Sequence, residues 1–119
     1  MAILISIPSI RDDRGALSVV TNELGFKIQR VFWVYDCTAI RGGHAHRITK
    51  NALICVAGEC NIRVKKQGKE ENFPLQTPEQ CLVLDPEDWH TMEFADKNSV
   101  LLVLSSEPYR EDDYVYAEK

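Results

Sequence analysis

The sequence predicts an all-β domain, a sandwich or barrel of about ten short strands. At 119 residues the chain has the length of one domain with a single core. No stretch shows the 3.6-residue apolar period of a useful amphipathic helix. Instead, short apolar or alternating runs recur along the chain, and turn residues separate them.

The predicted strands of the first half end at proline, glycine or charged turns. They cover residues 2–7, 16–21, 28–37 and 52–56, with a polar turn at 11–15 and a break at 22–25. The run 28–37 (IQRVFWVYDC) is rich in β-branched and aromatic residues, which favour strands.

Strands of the second half are predicted at 60–66, 73–76, 81–84, 90–94 and 100–104. In the first of these, Ile62 and Val64 alternate with Arg63 and Lys65, so one face is apolar. A tight turn at 57–59 precedes it and a hairpin loop at 67–69 follows. Residues 107–119 are acidic and rich in tyrosine, and we expect them to dock on the domain because free tails seldom carry many aromatic side chains.

Composition excludes several classes of function. The net charge is −4 and no stretch is strongly basic, which argues against a nucleic-acid surface. The apolar run 2–7 is too short to span a membrane and lacks the basic start of a signal peptide. The four cysteines form no CxxC pair, so we expect reduced thiols in a cytoplasmic protein.

The segment 41–58 (RGGHAHRITKNALICVAG) carries the residues best suited to chemistry. His44 and His46 are two apart, so in a strand both imidazoles project from one face. Gly42 and Gly43 allow a close approach or a sharp turn, and Arg41 adds a fixed positive charge. Two imidazoles on one face suit either proton transfer or metal binding.

This spacing resembles the two motifs of the cupin superfamily, whose fold is a jelly roll or double-stranded β-helix. Asn51 stands where metal-binding members have a glutamate, and His90 follows Pro86 one residue early. A shift of one residue would turn His90 to the other face unless a bulge corrected it. Two histidines and an amide make a poor divalent-ion site, so we expect no metal. The remaining alternative, histidines that only fill the core, would bury two polar rings with few partners.

A closer resemblance covers residues 10–116. The blocks that carry it are 14–17 (RGAL), 30–36 (RVFWVYD), 41–46 (RGGHAH), 105–109 (SSEPY) and 113–114 (DY). They look like the WxcM-like sugar 3,4-ketoisomerases, cupins that act on dTDP-4-keto-6-deoxyglucose. The resemblance implies one cupin domain over residues 1–119, without cofactor, that moves the ketone from C4 to C3 through an enediol(ate) in deoxyamino-sugar synthesis.

The resemblance also implies roles for the two histidines. His44 would be the base that takes the proton from C3, and His46 would be the second acid/base or would orient the sugar. Arg41 or the phenol of Tyr35 would stabilise the enolate oxygen. Family members often carry tyrosine where this chain has Phe32 and Trp33, which leaves the proton route open.

Recognition of the nucleotide diphosphate needs fixed cations, and arginine suits phosphate. The arginines predicted to bind it are Arg14, Arg30 and Arg41. Further substrate-binding predictions are Tyr35, Asn51, Trp89 and His90.

Three other functions stay open at the level of sequence. They are a nucleotide-sugar epimerase, a metal-dependent cupin such as a dioxygenase, and a sugar-binding module without activity. We also expect a homodimer, because the uncharged segment 2–7 is a candidate edge strand for exchange or pairing.

Overall fold

The computed structural model describes residues 2–116 and is built almost entirely from short strands. In chain order these are β1 (Ile3–Ser6), β2 (Ser9–Asp12), β3 (Gly15–Ser18), β4 (Arg30–Val34), β5 (Arg41–His46), β6 (Asn51–Ala57), β7 (Cys60–Lys66), β8 (Lys69–Leu75), β9 (Gln80–Leu84), β10 (Trp89–Phe94), β11 (Val100–Ser105) and β12 (Tyr114–Val115). A single 3-10 turn, Glu111–Asp113, precedes β12. No helix in this part of the chain is long and apolar enough to cross a membrane.

Ten of these strands form two antiparallel five-stranded sheets. The first sheet has the order β1-β9-β6-β11-β4, and the second has the order β12-β5-β10-β7-β8. Consecutive strands therefore alternate between sheets over much of the chain, as in a jelly roll. The predicted all-β sandwich is confirmed.

The main core fills the space between the two sheets. Leu53 on β6, Ile62 on β7 and Leu101 on β11 are all fully buried there. A second cluster, which includes Ala52 and Ile54, lies on the other face of β6 and is covered by Leu24 and neighbouring residues. Alternate residues of one strand thus enter different clusters, because side chains alternate across a strand.

Some predicted elements are matched closely and others differ. The strand 60–66 and its alternation are confirmed. The tail docks as far as residue 116, since β12 pairs with β5, and its residues 117–119 lie outside the described chain. The run predicted at 73–76 is longer in the structure, because β8 pairs with β7 over its whole length. Charged residues there made the sequence look like a loop, but Glu70 lies beside Arg63 and Lys65 of β7 as cross-strand ion pairs.

The polar turn predicted at 11–15 is confirmed as the tip of a hairpin, but the strand before it, β2, was not predicted. β2 and β3 form a separate two-stranded sheet, and all of their residues are exposed. Ile10 and Leu17 lie opposite each other across this hairpin.

Candidate active site

Three imidazole rings meet between the two sheets. His44 and His46 come from β5, and His90 comes from the adjacent strand β10. The centroid of the His44 ring lies 5.1 Å from that of His46 and 5.1 Å from that of His90. The rings of His46 and His90 are 6.4 Å apart and nearly parallel. The predicted pairing of His44 and His46 on one face therefore gains a third member.

Two glycines allow β5 to approach β10 closely enough for this cluster. His44 lies directly opposite His90, but the next pair along is Gly42 with Thr91, so Gly43 is an extra residue at this point. Gly42 and Gly43 have φ values of 89° and 77°, which favour glycine. A Cβ on Gly42 would lie 2.9 Å from the carbonyl oxygen of His90. A side chain at position 42 would thus push the two histidine strands apart.

His90 faces the same space as the other histidines, so its early position after Pro86 does not reverse its face. Its side chain is 2% exposed, so it lies in the interior and not at the mouth. The shorter spacing after Pro86 falls in the turn before β10, where Glu87 adopts a φ of 72°, and not within the strand.

His46 is held by a buried carboxylate that comes from the 3-10 turn before β12. Its Nδ1 lies 2.8 Å from Oδ2 of Asp113, and both side chains are buried. The other oxygen of Asp113 accepts hydrogen bonds from the backbone N–H groups of Arg47 (3.0 Å) and Ile48 (2.7 Å). The hydroxyl of Thr49 also donates to Asp113. Burial raises the pKa of Asp113, but these hydrogen bonds outweigh it and lower the pKa to about 2.

The ionised carboxylate fixes the tautomer of His46. Because an ionised Asp113 can only accept, Nδ1 of His46 must carry the proton. Its Nε2 is then an unprotonated acceptor. Burial lowers the pKa of His46, and the hydrogen bond to Asp113 partly opposes that shift. At neutral pH the ring is therefore a neutral base backed by a negative charge.

The other two histidines are also neutral at pH 7. Burial lowers the pKa of His44, and the neighbouring His46 lowers it further, against a hydrogen bond to the backbone of Gly42. Burial lowers the pKa of His90 to about 3. Nδ1 of His90 lies 3.1 Å from the carbonyl oxygen of Asp88, to which it donates. His90 therefore presents its unprotonated nitrogen away from that carbonyl.

The histidines line a cavity of about 190 Å³. Its described walls are Phe32, Val34, Arg41, Gly42, His44, His46, Asn51, Leu53, His90, Met92, Val103 and Tyr114. The ring of Tyr114 lies 4.8 Å from that of His44 and 4.6 Å from that of His46. Drug-sized ligands occupy pockets of about 300 Å³ or more, so this space suits a single sugar ring.

Asn51 and Arg30 supply polar groups around the histidines. The hydroxyl of Ser105 donates to the amide oxygen of Asn51, which leaves the amide N–H groups as donors. The guanidinium of Arg30 lies over the rings of Phe32 (5.3 Å) and Tyr109 (5.7 Å). Its Nε is buried without a hydrogen-bond partner among the described residues. Arg30 is thus half-buried against two aromatic rings, and its role in substrate binding stays a prediction.

Four of the predicted substrate-binding residues do not line this cavity within the described chain, and Arg30 is one of them. Arg14 is at the hairpin tip, exposed and paired with Asp12 at 2.7 Å. Tyr35 is 58% exposed and follows the outward parity of Trp33, whereas Phe32 and Val34 point inward. Trp89 is buried outside the cavity and donates to the carbonyl of Tyr116 at 3.2 Å.

The histidine cluster does not have the donor arrangement of a metal site. Within residues 2–116, no group of three or more His, Cys, Asp or Glu side chains is placed to hold an ion. Asp113, the carboxylate beside the cluster, is already engaged by His46, Thr49 and two backbone donors.

Sequence reasoning missed the two residues that complete the site, Asp113 and Tyr114. His46 and Asp113 are 67 positions apart, and no local pattern links them. The sequence did contain one signal for them: the pair 113–114 (DY) was among the blocks that resemble the family, but no role was assigned to either residue.

A family model and a named relative both match nearly the whole chain. The family model FdtA, WxcM-like C-terminal, matches residues 2–119. A TDP-4-oxo-6-deoxy-alpha-D-glucose-3,4-oxoisomerase of Aneurinibacillus thermoaerophilus is 30% identical over 116 residues, which are 94% of this chain and 84% of that protein.

Solved structures show the same fold. QdtA, a sugar 3,4-ketoisomerase of Thermoanaerobacterium thermosaccharolyticum solved with TDP, matches with a TM-score of 0.93 at 32% identity, over 98% of this chain and 88% of that one. A variant of QdtA with one histidine changed to asparagine, solved with TDP-4-keto-6-deoxyglucose, matches with a TM-score of 0.93 at 32% identity, over 98% of this chain and 87% of that one. These matches confirm the predicted cupin jelly roll.

Proposed function

Because the chain belongs to the FdtA, WxcM-like C-terminal family, we propose that it moves the ketone of dTDP-4-keto-6-deoxyglucose from C4 to C3. The chain is an isomerase of the 3,4-ketoisomerase kind, as its relatives are. The observation that carries the mechanism is that His46, hydrogen-bonded to Asp113, lies beside His44 in one small cavity.

The reaction needs a proton taken from C3 and a proton delivered to C4, with an enediol(ate) between the two steps. His44 takes the proton from C3 and returns it to the C4 oxygen. Nε2 of His46 takes the proton of the C3 hydroxyl as the C3 ketone forms and delivers a proton to C4. Both rings are neutral at pH 7, and each can gain a proton in the transition state. Asp113 is a positioning residue: it fixes the tautomer of His46 and stabilises the imidazolium form.

The developing enolate oxygen needs a donor, and two cavity residues can supply one. Arg41 and Tyr114 both line the cavity, whereas Tyr35, the phenol first expected in this role, faces outward. A fixed cation and a phenol in a dry site each stabilise negative charge where it develops. Asn51 donates from its amide to a sugar hydroxyl, and His90 forms the floor.

The cavity accommodates the sugar, so the nucleotide lies outside it. Arg41 lines the cavity, and Arg30 lies over the ring of Phe32, which also lines it; these two arginines bind the diphosphate. Support for a TDP-linked ligand comes from QdtA, which has been solved with TDP. Trp89 and Arg14 remain proposed nucleotide contacts. Arg14 could reach the nucleotide only if the tip of the β2–β3 hairpin lay beside a histidine cavity. The cysteines are free thiols, as in a reducing compartment, which supports the proposed cytoplasmic location.

We further propose a homodimer in which the hairpin of one copy covers the first sheet of the other. A two-stranded hairpin is only marginally stable alone in water, and this one exposes Ile10 and Leu17 on one face. Val31 and Trp33 form a second exposed apolar strip on β4. In the dimer, the apolar face of the hairpin in one copy would cover Val31 and Trp33 of the other copy, and both apolar surfaces would be buried.

Light scattering on the double variant Ile10→Lys/Leu17→Lys tests the dimer. We expect a monomer, because two buried lysines would oppose association. Ala16→Lys adds a lysine to the opposite face of the same strand and should leave the dimer intact. If the double variant stayed dimeric, the hairpin would not be part of the interface. Deletion of residues 1–9 would then test whether β1 forms it.

Incubation with dTDP-4-keto-6-deoxyglucose in deuterated water, followed by NMR, tests the reaction. The wild type should give a ketone at C3 and deuterium at C4. His46→Asn should still exchange the C3 hydrogen but yield little product, whereas His44→Asn should lose both. The reverse pattern would exchange the two roles, and an inverted centre with the ketone still at C4 would indicate an epimerase.

A further inference from the structure

A pair of buried thiols lies at the other end of the sandwich and takes no part in the proposed chemistry. Cys55 on β6 and Cys60 on β7 have their sulfur atoms 3.0 Å apart. Both residues are buried, at 1% and 3% exposure. The tight turn between the two strands brings them together, and Gly58 in that turn has a φ of 71° and contacts Ser99.

The separation is close to that of a covalent bond. A disulfide has an S–S distance of about 2.0 Å, so these two sulfur atoms need to approach by only about 1 Å. In the reduced form one thiol donates a hydrogen bond to the other. The hydrogen bond from Cys60 lowers the pKa of Cys55, against burial, which raises it. The same hydrogen bond and burial raise the pKa of Cys60, so Cys55 is the thiol of the pair that ionises first.

One of the two thiols is within reach of small solutes. Cys60 lines a cavity of about 490 Å³ that is distinct from the histidine cavity. Glu59, Asn61, Pro74 and Phe94 are among the other residues of its wall. The remaining cysteines lack this arrangement: Cys37 donates to the carbonyl of Tyr35, and Cys81 belongs to the second apolar cluster.

We propose that Cys55 and Cys60 form a disulfide when a small hydroperoxide enters this cavity. The two S–H bonds and the O–O bond break, and the S–S bond forms. Hydrogen peroxide takes up the two electrons and two protons and leaves as two molecules of water. Thioredoxin-like dithiols or dithiothreitol would reverse the step by exchange.

The bridge would join the two sheets at a distance from the histidines. β6 belongs to the first sheet and β7 to the second. Cys55 is four residues along β6 from Asn51, which corresponds to about 13 Å at the rise of an extended strand. The proposed bridge is thus a modification site separate from the isomerase site, and its test does not depend on that activity.

Peptide mapping of the folded full-length chain after exposure to hydrogen peroxide tests the proposal. Unreacted peroxide is removed, the chain is unfolded, free thiols are alkylated, and trypsin is added. Cleavage after Lys50 and Arg63 leaves both cysteines in the peptide 51–63. Cys37 and Cys81 fall in the separate peptides 31–41 and 70–97 and serve as internal controls.

We expect the peptide 51–63 to remain unalkylated and to be lighter by two hydrogen atoms, and to regain both alkylation sites after dithiothreitol. The peptides of Cys37 and Cys81 should be alkylated throughout. In Cys60→Ala the bridge should be absent, and in Cys81→Ala it should form as in the wild type. A wild-type peptide 51–63 that is alkylated at both sites after peroxide, or that carries only added oxygen, would overturn the proposal. So would a bridge to another cysteine.

Discussion

Replacing Asp113 with asparagine is the sharpest test of how the site works. One carboxylate oxygen accepts from the backbone N–H groups of Arg47 and Ile48, and the other from His46 and Thr49. The amide oxygen of asparagine can keep the two backbone bonds. Its NH₂ group then faces His46, which must accept at Nδ1 and carry its proton on Nε2.

The expected loss follows from that change of tautomer. Nε2 of His46 would turn from a proton acceptor into a donor, and the negative charge that stabilises the imidazolium would be gone. General acid–base groups contribute about 10² to 10⁴ in rate, so kcat should fall by about that factor with little change in KM. Loss of a buried, charged acceptor should also destabilise the fold by about 2–3 kcal/mol.

Three measurements separate positioning from mere stability. Turnover and deuterium exchange give kcat and KM, thermal unfolding gives stability, and nitrogen-15 NMR of His46 reports which ring nitrogen carries the proton. Thr49→Val is the matched control, because it removes one donor to Asp113 but keeps the carboxylate on His46. It should lose stability with kcat within about tenfold of the wild type. An Asp113→Asn enzyme with the kcat of the wild type, or a wild-type His46 protonated at Nε2, would refute the reasoning.

The remaining predictions concern the glycines, the buried ring and the phenol. Gly42→Ala should lower both stability and kcat, because its Cβ would meet the carbonyl of His90. Gly43→Ala is the control, because its Cβ would meet only a Trp89 carbon at 3.9 Å. It should lose only the about 1–2 kcal/mol that a positive φ costs alanine, as measured by thermal unfolding. Burial holds the pKa of His90 at about 3, below its unfolded value, so the folded state binds fewer protons and loses stability as pH falls. Between pH 6.5 and 5 this amounts to about 2 kcal/mol, and urea titrations of wild type and His90→Asn should differ by about that much. Tyr114→Phe keeps the ring against His44 but loses the phenol, and kcat should fall by about 10² if the phenol is an enolate donor; an unchanged kcat would leave Arg41 as that donor.

The parts of the fold that could be predicted are those with a local signal. The strand 60–66 shows strict alternation, and the facing pair His44 and His46 follows from the two-residue period alone. β8 was predicted too short and β2 was missed, because most of their side chains are charged or polar and only their partners define them as strands.

The carboxylate partner of the base could not be predicted in this way. Asp113 is one of three consecutive acidic residues, 111–113, which look like a solvated surface. It becomes buried only because the tail folds back and β12 pairs with β5. A pairing across 67 positions is decided by the tertiary structure.

The docked tail has a consequence for how the protein matures. Both sheets except β12 are complete once Ser105 has been made, yet the group that orients the base is supplied eight residues later, at Asp113. A truncated chain that ends between these two residues would contain both sheets except β12, but it would lack the carboxylate that orients His46. The catalytic arrangement of the histidines is therefore completed only after nearly all of the fold has been synthesised.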